Sequence, residues 1–392
     1  MPARPEIIEI YGNCFPRLGH KVTWIMPTKG NKKGIQELPF GDVHIFTIPY
    51  HMTSFLPEKI FAKLVFLWKE RRLACRIIQK EGCNIIQANN SIFEGLLAIS
   101  LKRKYKIPFI LRYSFPAAEA SLERHKLRSS KAPYLLIIAR VKRFMWLLVM
   151  RHADLILPIS KCMGEELTRS GIDREKILPI TSAVNTYLFS PTTGGEQIRV
   201  KYNLGGSKTV IYQGIMDELR HLDVLFYALA LVKQKRQNVK LLMVGDGDDR
   251  TNLEKLARNL GLGDQVVFTG RVPYFEVPQF IAAADVGLTP VPPLDIYKVS
   301  SPLKLFEYMG VAKPVVANEE IPEHKEVLEQ SEGGILVPFT PEAFAHAIIE
   351  LLNNPEKAVE IGRRGREWVA KNRRYEILAR QVEEKYLQLL EH

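Results

Sequence analysis

Cysteine is scarce and long apolar runs are missing. Four cysteines, Cys14, Cys75, Cys83 and Cys162, occur in 392 residues. None stands in a CxxC pair or near a histidine at ligand spacing. A disulfide framework and a cysteine-based zinc site are therefore excluded as organising features, and a reducing cytoplasm is the default compartment. No uninterrupted run of about 18 apolar residues exists, so no transmembrane helix is expected. The nearest approach, residues 132–150, is broken by Arg140, Lys142 and Arg143. Pro2, Pro5 and Glu6 stand where a secretory leader would carry its apolar core. Internal repeats and low-complexity tracts are lacking too. Acidic residues are short in one half only. Residues 1–190 hold 30 bases and 15 acids, whereas residues 191–392 hold 25 and 28, and residues 100–151 alone hold 13 bases against 2 acids. The net charge of +12 thus sits on the first half, which is built to meet something anionic.

What is present is an ordinary globular composition, 46% hydrophobic and 25% charged, long enough for two or three domains. The dominant rhythm is short apolar strand, turn, helix, strand. Strands are predicted over 21–27, 43–50, 84–89, 108–113, 153–159 and 177–181, and again over 209–212, 240–244, 266–269, 286–289 and 314–317. Several are continuous apolar runs, as in parallel strands buried on both faces. Helical patterns lie between them, at 92–105, at 161–171 and after Arg220, where Leu222, Leu225, Phe226, Leu229 and Val232 form one stripe. The turn-rich stretch 179–207 divides the chain. The expected architecture is α/β: two doubly wound, Rossmann-like domains facing across a cleft. The first domain covers 1–190 and the second 191–372, with a last helix in 373–392 crossing back to the first. The opening is unusual. Residues 4–18 read as a helix ending at Gly19 and followed at once by a strand, where such a domain opens with a strand and a Gly-rich loop.

Four loops of the second half carry candidate chemistry. Gly214 closes the first strand, with Arg220 ahead of the next helix. Gly245-Asp246-Gly247 follows the second strand, and Gly270-Arg271-Val272 the third. The last runs through Ser300-Ser301-Pro302-Leu303-Lys304 to Glu307. Glycines there let backbone amides approach a diphosphate, and a helix N-terminus favours its charge. Pro302 is expected in the first helical turn with a serine before it as cap. Lys304 should face a phosphate, and Glu307, three residues on, can accept hydrogen bonds from hydroxyls such as a ribose diol. Each feature alone is ordinary; their order and spacing in one domain carry the reading.

Val210-Ile211-Tyr212-Gln213-Gly214, the run 241–247, Val266-Val267-Phe268-Thr269-Gly270, Ala284-Asp285-Val286, and Phe306-Glu307-Tyr308-Met309 leading to Lys313-Pro314-Val315 together resemble the donor-binding domain of a GT-B glycosyltransferase of retaining family four. Gly19 to Thr23, Ala153 to Ser160 and Val184 to Pro191 are similar to that family's first half. The resemblance implies transfer of a hexose or N-acetylhexosamine from a UDP- or GDP-sugar to a lipid-linked or glycan hydroxyl, with retention and no required metal or other cofactor. It implies that Gly214 and Arg220 hold the diphosphate. Gly245 and Gly247 would join them in the nucleotide site, with Gly270, Arg271 and Val272 at the nucleobase. Ser301, Pro302, Leu303 and Lys304 would meet phosphate and sugar, and Glu307 the ribose. Arg220, Lys304 and Glu307 are the implied catalytic set. Departures stand beside it. Ile215 replaces an arginine, Val299 replaces a first glutamate eight residues before Glu307, and Arg112-Tyr113-Ser114-Phe115 holds no histidine. A non-catalytic relative that binds a nucleotide as a partner subunit is therefore the alternative.

The basic half combines charge with bulky apolar residues. Arg124, Lys126, Arg128 and Lys131 precede residues 134–150, which contain Phe144 and Trp146. Residues 55–78 set Lys59, Lys63, Lys69, Arg71, Arg72 and Arg76 among Phe61, Leu64, Phe66 and Trp68. Two readings stay open: core helices with solvated basic faces, or a peripheral surface for an anionic membrane on its inner, cytoplasmic face. No recognised nucleic-acid motif accompanies the charge, so nucleic acid is not the expected partner.

Overall fold

A computed structural model of the chain describes residues 4–28, 34–50, 56–114, 116 and 134–391. The bases Arg124, Lys126, Arg128 and Lys131 lie outside the described residues. The chain divides into two units, one of Met1–Thr181 with Tyr375–His392 and one of Ser182–Arg374. The division comes nine residues before the expected 190/191 boundary. Residues from Ser182 onward bond into the second unit: Ser182 N–H donates to Ser301 Oγ at 2.9 Å, and Phe189 is fully buried there.

In the first unit residues 5–17 are helical, with widened π turns over Ile8–Cys14. Phe15 N–H bonds five residues back, to the Ile10 carbonyl. Pro16, which has no N–H to donate, follows this widened segment. The strands are β1 (Val22–Thr28), β2 (Gln36–Phe40), β3 (Val43–Pro49), β4 (Ile86–Asn89), β5 (Phe109–Tyr113) and β6 (Leu155–Pro158). They form two separate sheets, β1-β3-β2 and β4-β5-β6. Pairing is parallel except between β2 and β3. β5, with a partner on each side, is buried throughout, while β1 and β4 are edges and mostly half-buried. Residues 177–181, expected as a strand, are not one. They contribute single bonds, Leu178 N–H to Ile156 O and Ile180 N–H to Pro158 O, on either side of Pro179.

Arg112 is buried and donates to the carbonyls of Leu157, Pro158 and Ile180 at 3.0, 3.2 and 2.9 Å. It ties β5 to β6 and to the strand-like segment beyond. The helix Tyr375–Leu390 belongs to this unit. His20 Nε2 meets Glu383 at 2.7 Å, and the Tyr386 hydroxyl lies 3.4 Å from that of Tyr11.

The second unit holds one six-stranded, wholly parallel sheet. Its strands are β7 (Lys208–Gln213), β8 (Val239–Val244), β9 (Val266–Gly270), β10 (Val286–Thr289), β11 (Val315–Asn318) and β12 (Gly334–Val337), in the order β12-β11-β10-β7-β8-β9. Helices cover both faces. Asp223–Lys235 packs with Pro341–Asn353, and Leu303–Gly310 packs with Pro355–Asn372. The apolar core is split by the sheet into two clusters, as doubly wound strands require. From β7 the chain proceeds to β8 on one side, and from β10 to β11 on the other. The gap between β7 and β10 is thus the topological switch point, where such sheets bind ligands at the strands' carboxyl ends.

Candidate functional site

The loops leaving β7, β8 and β9 are packed in one row at this carboxyl edge. Gly214 N–H bonds to Val244 O at 2.9 Å, Met216 N–H to Asp246 O at 3.1 Å, and Gly245 N–H to Gly270 O at 3.0 Å. Gly245 has φ +133°, and a Cβ there would overlap the Gly214 carbonyl; a Cβ on Gly247 would overlap that of Met216. The closeness of the loops therefore requires both glycines. Arg271 points to solvent, and Val272 is half-buried beside Tyr274 against the core.

The helix Leu303–Gly310 enters the same edge from β10. Pro302 is not in its first turn. It holds the extended position before the helix (φ −70°, ψ 107°), and no side chain caps the end. Ser301, expected as the cap, is turned away. Its Oγ accepts from Ser182 N–H and donates to Glu323 Oε1 at 3.2 Å. The helix N-terminus thus starts at Leu303 and Lys304, whose amides precede the first intrahelical donors. Lys304 Nζ lies 3.4 Å from where a Cβ on Gly214 would be, and 4.1 Å from the Tyr212 ring centre.

Arg220, in the turn Glu218–Arg220, lays its guanidinium 4.6 Å from the Tyr297 ring centre. Its Nε is buried without a hydrogen-bond partner among the described residues. Burial, and then the positive charge of Arg220, hold the Lys304 ammonium well below the usual lysine range, against the pull of Glu307. Among the described residues neither cation has a salt bridge to a carboxylate. Two basic groups without a salt bridge among the described residues are thus held close beside a glycine-lined row, an arrangement that an anion stabilises.

Glu307 is buried one helical turn below Lys304. Gln213 Nε2 donates to its Oε2. Burial pushes its carboxyl up to about 7, against hydrogen bonding from Tyr274 and Gln213 and the charge of Lys304. Next along the helix, the Tyr308 hydroxyl accepts from Gln213 N–H at 3.0 Å and donates to Ile211 O at 3.3 Å, which fixes the helix to β7.

The structure therefore brings Gly214, Arg220, Lys304 and Glu307 together, with Gly245, Gly247 and Gly270 in the adjoining row. Sequence reasoning did not single out Gln213, Tyr297 or a buried polar group beside them. His324 Nδ1 donates to Asn318 O at 3.0 Å and its Nε2 accepts from Thr289 Oγ1 at 3.2 Å, the pattern of a neutral ring; burial lowers its pKa to about 4. Glu323, also buried, pairs with Arg373 at 3.2 Å. The polar run Asn318-Glu319-Glu320 leading into Pro322-Glu323-His324 was the available signal. Val299 is buried and Ile215 exposed, so neither supplies a polar group.

Residues 195–368 match the family Glycosyl transferases group 1, and residues 11–188 match Glycosyltransferase Family 4. One similar protein is the GDP-mannose-dependent alpha-(1-6)-phosphatidylinositol monomannoside mannosyltransferase of Mycobacterium tuberculosis, 29% identical over 201 residues, 50% of this chain and 52% of that one. Another is the alpha-monoglucosyldiacylglycerol synthase of Streptococcus pneumoniae, 26% identical over 234 residues, 56% of this chain and 51% of that one. The chain thus spans about half the length of these curated relatives. Among solved structures, sucrose-phosphate synthase from Thermosynechococcus elongatus superposes with a TM-score of 0.75 at 22% identity, over 97% of this chain and 91% of that one. Anabaena HepE in complex with UDP-glucose gives 0.69 at 16% identity, over 94% and 100%.

Proposed function

The chain belongs to the group 1, family 4 glycosyltransferases of GT-B fold, and on that footing we propose that it transfers a sugar from a nucleoside-diphosphate donor to a lipid-linked or glycan hydroxyl. The observation that carries the proposal is the closeness of Lys304 and Arg220, neither with a salt bridge to a carboxylate among the described residues, at the switch point of a parallel sheet. In the reaction the bond between anomeric carbon and diphosphate oxygen breaks, the acceptor oxygen takes its place, and the acceptor loses its proton. Negative charge grows on the departing diphosphate. Lys304, Arg220 and the first amides of the helix Leu303–Gly310 are placed to stabilise it. Glu307, oriented by Gln213, is the proposed partner of the ribose hydroxyls, and Val272 the wall beside the base. A hexose or N-acetylhexosamine, a UDP or GDP leaving group and retention at the anomeric carbon follow from the family resemblance. The phosphatidylinositol monomannoside and monoglucosyldiacylglycerol in the relatives' names favour a lipid-linked acceptor. Free cysteines suit an enzyme of the cytoplasm.

Val299 and Ile215 favour a second reading, a nucleotide-binding partner subunit without turnover. Calorimetry with UDP and GDP, beside an assay of sugar release from UDP- and GDP-sugars, separates the two. Binding with turnover supports transfer, and binding without turnover supports the subunit. Failure to bind either nucleotide sinks both.

A further inference from the structure

Three helices of the first unit lie side by side. Lys63 on Leu56–Glu81 meets Glu94 on Ile92–Tyr105 at 2.8 Å, and Lys104 further along the second helix meets Cys75 further along the first, so these two run parallel. Val149 on Tyr134–His152 packs against Gly95, and the carbonyl of His152 accepts from Lys102 at 3.0 Å. At 1.5 Å per residue, the first half of that third helix runs out past Phe93. The amino ends of all three helices therefore gather at one end of the layer.

The outer face of the layer carries exposed apolar side chains among the described residues. Phe61 is 68% exposed, Trp68 59%, Phe93 50%, Ile137 62% and Phe144 65%. The four rings alone leave on the order of 500 Å² in water. The helix Tyr134–His152 is apolar on both sides. Trp146, Val149 and Met150 are buried inward, while Ile137, Val141 and Phe144 face out.

The charge around these side chains is mainly basic: Glu58 is exposed in the first turn of Leu56–Glu81 and Glu94 is paired with Lys63, and the other exposed charged groups there are bases. Tyr134–His152 carries four bases and no acid. Arg140, Lys142 and Arg143 on it are exposed. Beside Trp68 lies a pocket of about 420 Å³ whose lining, among the described residues, includes Ile35, Lys69, Arg72, Leu73 and Arg76 and no carboxylate. The Arg72 guanidinium stands 5.5 Å from the Trp68 ring centre. Aromatic and aliphatic groups ringed by arginine and lysine match the acyl-headgroup boundary of an anionic bilayer. A second copy of this surface would be repelled by the same charges. No helix among the described residues is long and apolar enough to cross a membrane.

We infer that the outer face of this helical layer docks the protein on an anionic phospholipid surface, with the Trp68–Arg72–Arg76 pocket receiving a headgroup phosphate. The inference does not depend on sugar transfer. It is tested by co-sedimentation with vesicles of phosphatidylcholine alone and of phosphatidylcholine mixed with phosphatidylglycerol. The protein should bind the mixed vesicles, with weaker binding at high salt and a blue shift in tryptophan emission that Trp68→Phe reduces. Phe61→Ser with Phe144→Ser, and separately Arg72→Glu with Arg76→Glu, should each lower binding by about tenfold or more. Nucleotide binding and melting temperature, measured alongside, should stay unchanged. Three results would overturn the inference: no binding to mixed vesicles, equal binding to both kinds, or a wild-type dimer in sedimentation that the Phe61→Ser with Phe144→Ser variant abolishes.

Discussion

The ring of Tyr308 occupies the space that a side chain on Gly287 would fill: a Cβ on that glycine would overlap the ring carbons. Gly287 sits in β10 and Tyr308 on the helix that carries Lys304 and Glu307. The absence of one methyl group on the strand therefore sets how closely that helix approaches the sheet, and with it the reach of both site residues.

Gly287→Ala should displace the helix and cost about 1–3 kcal/mol of stability through overpacking. Urea denaturation reads the loss, and nucleotide affinity should fall with it. Retention of full stability and affinity would show that Tyr308 does not position the helix.

Lys304→Ala should weaken UDP or GDP binding roughly 10–100-fold, the worth of one hydrogen-bonded charge. Because burial and Arg220 hold the Lys304 ammonium below the usual lysine range, its proton leaves earlier than an ordinary lysine's as pH rises. Wild-type affinity should therefore decline at a lower pH than an ordinary lysine would give. Lys304→Arg keeps its charge throughout and should flatten the profile in calorimetry between pH 7 and about 9.

Glu307 gives a pH effect on stability with the opposite kind of group. Its carboxyl is raised from 4.5 to about 7, so the folded state holds a proton that the unfolded state has already lost. Its contribution is fully present below pH 4.5 and is lost as pH rises through about 7. Glu307→Gln carries no such dependence. Its stability relative to wild type should rise by roughly 2–3 kcal/mol between pH 5 and 8, read by denaturation at each pH. A constant difference would mean that Glu307 is ionised in the fold throughout.

The buried Glu323–Arg373 pair offers a test away from the two cations. Glu323→Gln alone or Arg373→Met alone should cost about 3–5 kcal/mol, and the double variant less than their sum. Additive losses would show that the two side chains act separately.

The sheet of the second unit was legible because its strands are buried on both faces and read as unbroken apolar runs. β12 was not, since it starts at Gly334 after Gly333, a pair that signals a turn. β2 escaped because Glu37 and Pro39 break an apolar run, which an edge strand tolerates. Residues 177–181 misled in the other direction: their apolar side chains fit a strand, while Pro179 cannot donate to a ladder. At the site, Lys304 and Glu307 were readable from their helical spacing. The turn of Ser301 away from the helix end was not, because its partners Ser182 and Glu323 are 119 residues before it and 22 after it. Gln213 looked like part of a turn; its role appears only when the helix bearing Glu307 lies against β7.

The central claim is that the paired cations Lys304 and Arg220 serve sugar transfer from a nucleotide donor. Its most direct test is the movement of radiolabelled sugar from UDP- and GDP-sugars to lipid-linked acceptors, by wild type and by Lys304→Ala of unchanged melting temperature. Acceptor labelling is expected from at least one donor by wild type, with a loss of about 100-fold in the variant. Wild-type protein that binds the nucleotide yet labels no acceptor, or a variant that transfers as fast as wild type, would contradict it.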